Sequence, residues 1–145
     1  MSHLAVVDAS VAIKWVLLDE FSDRADRLYA ESVRVRSPLL APSLLPNEVA
    51  NAILQQLRRG RLPESEADAA MSRFLAMEVM LVSPHDLPRL AFAFAKAHGL
   101  KSVYDSLYVV LAQQLDLEFW TDDRRLLTHI GPAAPWVRWI GDYDG

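Results

Sequence analysis

The chain alternates between short apolar runs and longer stretches in which apolar residues recur at helical spacing. Leu4-Ala5-Val6-Val7 is a β-rich run that ends at Asp8, and after Ala9-Ser10 an apolar stretch continues to Leu18, which predicts strand, turn and helix. From Phe21 to Glu31, Phe21, Ala25, Leu28 and Tyr29 share one helical face with charges on the other. Val33–Val35 has an extended pattern, but Leu39–Ala41, bracketed by Pro38 and Pro42, is the better buried strand. Pro46 suits a first helical turn with Glu48 just inside it, and that helix is expected to run to Arg59 and stop at Gly60. Pro63-Glu64 opens another helix, with Ala67, Ala70, Met71, Phe74 and Leu75 on one side. Glu78–Val82 reads as a third strand, Leu87–His98 as a helix closed by Gly99, and Val103–Leu115 as an apolar helix. Glu118–Thr121 is a fourth strand, a short helix begins at once with Asp122-Asp123, and Trp136–Ile140 supplies an edge strand. Strands alternating with helices imply an α/β fold with a mainly parallel central sheet flanked by helices on both faces.

Against this pattern four acids stand out. Asp8, Glu48, Asp105 and Asp123 each fall where a strand is predicted to end or a helix to begin, although 40, 57 and 18 positions separate them. In an open parallel sheet the carboxyl ends of the strands and the first turns of the following helices line one edge, so scattered acids converge there. Each acid alone reads more readily as a helix cap or first-turn residue than as a metal ligand. Capping, however, does not require all of them at one end of the sheet, and Glu48 and Asp105 are embedded in apolar stretches where an unpaired carboxylate is costly. Packed together they would raise one another's pKa unless a cation neutralised them. Oxygen-only ligands favour Mg²⁺ or Mn²⁺, which bind through a few carboxylates plus a substrate phosphate, and this points to phosphate-ester chemistry.

Composition narrows the picture further. A length of 145 residues with 52% hydrophobic and 23% charged positions suits one compact domain, expected to span residues 1–145. The formal charge of -4 argues against coating nucleic acid through the overall field, so any RNA contact uses local basic groups or bound metal. The absence of cysteine removes disulfides, thiolate metal sites and cysteine nucleophiles, and agrees with a cytoplasmic location. Neither Met1–Asp8 nor Val11–Leu18 reads as a signal peptide or membrane span, so no membrane association is expected.

Four segments carry a family resemblance: Val6-Val7-Asp8-Ala9-Ser10-Val11, Glu48-Val49-Ala50-Asn51-Ala52, Tyr104-Asp105-Ser106-Leu107-Tyr108 and Trp120-Thr121-Asp122-Asp123-Arg124-Arg125-Leu126. In order and spacing they resemble the motifs of PIN-domain ribonucleases, and most closely VapC-type toxins of toxin-antitoxin pairs. The resemblance runs from residue 6 to residue 126 and implies a single PIN-like domain. It maps the metal-holding, catalytic acids onto Asp8, Glu48, Asp105 and Asp123, the last completing a Thr-x-Asp element whose x position is itself acidic, Asp122. It further implies an endoribonuclease that uses Mg²⁺, with Mn²⁺ as the alternative, to activate water, leaving a 5'-phosphate and a 3'-hydroxyl. The implied partners are RNA, a cognate antitoxin and a second copy of the chain in a homodimer.

Secondary candidates remain two-sided at this level. Ser10 and Thr121 either orient carboxylates or cap helices, and Arg124 and Arg125 either hold RNA phosphates or sit on a solvated face. Arg58, Arg59 and Arg61 read as ordinary helix-end cations, and Lys14 as a residue that reaches the site or extends to water. The histidines His3, His85, His98 and His129 lack metal-ligand spacing, and Trp15, Trp120, Trp136 and Trp139 read as packing residues. Two rivals differ in class. A catalytically silent PIN-like scaffold would need no set of four acids. A doubly wound phosphatase would need a second aspartate where Ser10 stands, and a receiver domain would carry its paired acids early in the chain, whereas Asp122-Asp123 come late.

Overall fold

The structure, a computed structural model, describes residues 4–145. Five strands, β1 (Val6–Val7), β2 (Leu39–Pro42), β3 (Val79–Val82), β4 (Phe119–Thr121) and β5 (Val137–Trp139), form one sheet in the order β3-β2-β1-β4-β5. Every pairing is parallel. The described residues also form seven α-helices: α1 (Ala9–Ala12), α2 (Ser22–Arg34), α3 (Leu45–Arg58), α4 (Glu64–Leu75), α5 (Leu87–Ala97), α6 (Val103–Leu115) and α7 (Arg124–Ile130).

Alternation along the central strands divides the core in two, because successive strand residues point to opposite faces. Val6, Leu40 and Phe119 join the larger cluster with Leu45, Val49, Tyr108, Val109 and Leu111 of α3 and α6. Val7, Leu39 and Trp120 join the smaller one with Ala25 and Leu28 of α2 and with Ile140. Helices therefore cover both faces, as the continuous apolar strands predict. Strand order reverses between β1 and β4, and the crevice outside the carboxyl ends of strands at such a reversal is where open α/β sheets gather their chemistry.

Differences from the sequence reading have local causes. The helix expected to reach Leu18 ends sooner: α1 tightens into a 3-10 turn at Ile13–Trp15, and Leu18 is left 98% exposed. Its apolar run continues without helical structure because the turn closes when the amides of Val16 and Leu17 both bond to the Ile13 carbonyl. Val33–Val35 is not extended. Helix α2 takes in Val33 and Arg34 and is stopped by Val35, whose N–H caps back onto Glu31. Leu75 does not join the buried side of α4 and is exposed, whereas Ala67, Ala70 and Phe74 are buried. The first strand is shorter than the apolar run, although Leu4 N–H still bonds to the Pro38 carbonyl at 3.1 Å.

Candidate active site

Register brings the first and last motifs together. Val7 pairs with Trp120, so Asp8 leaves β1 beside Thr121 at the end of β4. Ser10 Oγ donates to Asp8 Oδ1 at 2.6 Å and Thr121 Oγ1 donates to Asp8 Oδ2 at 2.6 Å. Each hydroxyl oxygen accepts in turn a backbone N–H from the following loop: Asp122 N–H reaches Ser10 Oγ at 2.8 Å, and Asp123 N–H reaches Thr121 Oγ1 at 3.0 Å. One network thus fixes the Asp8 carboxylate and the backbone carrying Asp123. Ser10 and Thr121 both donate to Asp8, and the helix caps are formed by the acids themselves. Asp8 accepts from Val11 N–H at 3.3 Å, and Asp123 from Leu126 N–H at 3.0 Å.

The remaining acids arrive from two helices. Glu48 lies in the first turn of α3, whose start is set by Pro46, and Asp105 lies in the first turn of α6, where Ser102 caps by accepting from Tyr104 N–H at 3.1 Å. Tyr108, three residues after Asp105 and on the same helix face, donates its hydroxyl to Glu48. This tyrosine falls within the third motif, but no role for it was read from sequence. Its signal was the i, i+3 spacing from Asp105 on an otherwise apolar helix.

Burial and neighbouring charge act on these groups together. Burial pushes the Asp8 carboxyl up to about 7, against the pull of its Ser10, Thr121 and Val11 hydrogen bonds, and the Glu48 charge adds to the rise. Glu48 is raised by burial and by Asp105, although the Tyr108 hydrogen bond opposes this. Asp105 is raised by burial and then by the Asp123 charge. The Tyr108 hydroxyl is driven well above the usual tyrosine range by burial, by its bond to Glu48, and by the charges of Glu48, Asp8 and Asp105. The predicted acids therefore form one electrostatic neighbourhood, with Glu48 acting on Asp8, Asp105 on Glu48 and Asp123 on Asp105.

Among the described residues no three Asp, Glu or His side chains are drawn into a ready-made metal cage. The donor set nonetheless fits Mg²⁺ or Mn²⁺: it is all carboxylate oxygen, the carboxyls of Asp8, Glu48 and Asp105 are each raised in part by a neighbouring acid, and such ions need only a few carboxylates because they keep waters. A cleft of about 390 Å³ opens beside Asp105 and Asp123 and gives access to this edge.

Asp122 and Lys14 have a different task. Lys14 neither extends to water nor joins the four acids: its side chain is 2% exposed and its Nζ pairs with Asp122 Oδ2 at 3.0 Å. It also contacts Asp19 Oδ2 at 3.3 Å and donates to the Glu20 carbonyl at 2.6 Å. Trp139 Nε1 donates to Asp122 Oδ1 at 2.8 Å. Asp122 is thereby turned away from Asp123's partners and ties the end of β4 to the 3-10 turn and to β5. Arg124 is engaged here as well: it pairs with Glu20 at 2.6 Å and lies over the rings of Trp139 and Phe21, at 4.9 and 5.6 Å from their centroids. Arg125 instead lines the cleft with Asp105 and Asp123.

The other candidates take ordinary positions. Arg58, Arg59 and Arg61 are exposed, as are His85 and His129, and His98 is half-buried; His3 lies outside the described residues. Three tryptophans donate their indole N–H within the protein, Trp15 to Ala25, Trp136 to Val109 and Trp139 to Asp122, and Trp120 is buried, so the set packs the fold.

A sheet of this order with acids at its switch point defines a class, and comparison with known proteins agrees. The PIN domain family model matches residues 5–131, and the chain belongs to that family. Within it the chain is of the VapC type. It is 34% identical over 125 residues to Ribonuclease VapC3 of Pyrobaculum aerophilum, covering 83% of this chain and 90% of that protein. It is also 34% identical over 122 residues to Ribonuclease VapC3 of Mycobacterium tuberculosis, covering 83% of each. Among solved structures, PAE2754 from Pyrobaculum aerophilum superposes with a TM-score of 0.69 at 23% identity, over 97% of this chain and 92% of that one. A toxin-antitoxin complex from Klebsiella pneumoniae gives a TM-score of 0.56 at 17% identity, over 92% of this chain and 95% of that one. These last two likenesses speak for the fold.

Proposed function

We propose that the chain is a Mg²⁺-dependent endoribonuclease, the toxin of a two-protein module, acting on RNA phosphodiester bonds at the edge defined by Asp8, Glu48, Asp105 and Asp123. The observation that carries this reading is the Ser10–Asp8–Thr121 network, which uses both Asp8 oxygens to hold one carboxylate in place at the switch point. Homologues named as VapC ribonucleases support it.

Asp8, Asp105 and Asp123 would hold the ion, with Glu48 directly or through water. When bound, the ion lowers the pKa of water and offsets charge developing on the phosphate. The protein's own contribution is placement. Ser10 and Thr121 keep Asp8 oriented by donating to it, and the amides of Asp122 and Asp123 fix those hydroxyls. Tyr108 donates a hydrogen bond to Glu48 and so limits the rotation of that carboxylate. No cysteine exists to act as a covalent nucleophile.

The adjacent acids separate by partner. Asp123→Asn is expected to lower cleavage and Mg²⁺ affinity by about a hundredfold. Asp122→Asn should leave both within a few fold while lowering stability, because it uncouples Lys14. Cleavage assays and Mg²⁺ titrations on both variants decide the matter, and a reversed ranking makes Asp122 the fourth acid.

In cells, expression of the chain alone is expected to arrest growth, and co-expression of the adjacent gene's product to relieve the arrest. A cognate antitoxin is the partner proposed, a homodimer the assembled form and the cytoplasm its location. Growth that stays normal while soluble, intact protein accumulates would favour the silent scaffold.

A further inference from the structure

The cleft beside Asp105 and Asp123 carries charges of both signs. Lys101, in the turn between α5 and α6, and Arg125, two residues beyond Asp123, line it together with His129. Both cations are exposed, and among the described residues neither lies within ion-pair distance of a carboxylate. The neighbouring cations are engaged elsewhere, Arg124 on Glu20 and two aromatic rings and Lys14 on Asp122, while His129 Nε2 is hydrogen-bonded to the His98 carbonyl at 2.6 Å.

From this arrangement we infer that Lys101 and Arg125 form a phosphate-holding subsite that grips the RNA backbone next to the bond presented to the four acids. The inference rests on the ribonuclease reading above and refines it. Acids that want a cation and cations that want an anion face one cleft without pairing, and a phosphodiester brought with a divalent ion satisfies both. Phosphate contacts of this kind fix the register of the strand without reading its bases. Sequence offered Arg124 and Arg125 as equals. The structure divides them, and it adds Lys101, which lies four residues before Asp105 in a turn that owes its shape to Gly99 at φ +65°.

The test is Lys101→Gln and Arg125→Gln, singly and together, in the full chain with Mg²⁺. Binding of a short random-sequence single-stranded RNA is followed by fluorescence anisotropy over a salt series. Each single variant is expected to weaken binding about three- to tenfold and to flatten the log–log salt slope by about 0.7, the pair by about twice that. Arg125→Lys, which keeps the charge, should retain the parent slope. Arg58→Gln, at the far end of α3 and about 15 Å along the helix from Glu48, should change neither quantity. Melting temperature and Mg²⁺ affinity should stay at parental values in all variants, which separates lost contact from lost structure. A parent that cleaves RNA while the double variant binds it with parental affinity and slope overturns the subsite, and directs the two cations toward an acidic protein segment instead. A parent that neither binds nor cleaves RNA overturns the ribonuclease reading and the subsite with it.

Discussion

Asp8→Asn is expected to lower RNA cleavage by about a thousandfold and, without metal, to make the protein more stable at about pH 8 than its parent. Both effects follow from one environment. Asp8 is held by two hydroxyls in a half-buried position, and its carboxyl is raised to about 7. An unfolded aspartate releases its proton near pH 3.9, so between that value and about 7 the folded chain keeps a proton that the unfolded chain has lost. The resulting contribution is complete below the unfolded pKa and disappears as pH rises through about 7. At 1.4 kcal/mol per unit the loss is on the order of a few kcal/mol, reduced by whatever cation screening the buffer provides. Asparagine cannot ionise, so the variant's stability should vary less over this range, and its gain at about pH 8 should be about 1–2 kcal/mol after allowing for one less favourable hydrogen bond. Denaturant melts of parent and variant at about pH 5 and about pH 8, in EDTA, measure this directly. A variant that unfolds at both pH values identifies Asp8 as a structural cap.

Lys14→Met is the substitution expected to cost the most stability, about 3 kcal/mol. Methionine fills the space of the aliphatic stem but leaves Asp122 with only Trp139 and a longer contact to Arg124 at 3.6 Å, and it leaves the Glu20 carbonyl without its donor. Breaking a buried pair from one side strands the other charge, whereas removing both charges strands neither. The double variant Lys14→Met with Asp122→Asn should therefore be more stable than the sum of the single losses predicts, by at least about 1 kcal/mol. Additive losses in the double-mutant cycle would show that the two residues act independently.

The sheet and its helices were readable because apolar periodicity and proline or glycine punctuation agree at most boundaries; Val103–Leu115 comes out with the expected limits. What periodicity could not convey was competition by tertiary partners. Nothing in Val11–Leu18 announces that the helix must tighten at Ile13 and then leave Leu18 in solvent. The four acids were legible as positions, since strand ends and first helical turns are local features. Their connections were not. The bonds from Ser10 and Thr121 to Asp8 join residues separated by up to 113 positions or set by a side-chain rotamer, and the Tyr108–Glu48 bond spans 60. Lys14 shows the same limit: a lone lysine in an apolar stretch reads as reaching the site or extending to water, and its actual partner appears only when the strand end carrying Asp122 is brought against it.

Metal dependence tests the central claim most directly. The purified chain, freed of antitoxin and stripped of metal with EDTA, should leave RNA intact, and excess Mg²⁺ or Mn²⁺ should restore cleavage in the parent but not in Asp105→Asn. Undiminished cleavage by the metal-free protein would contradict the account, because the four acids would then be doing something other than holding a cation against a phosphate.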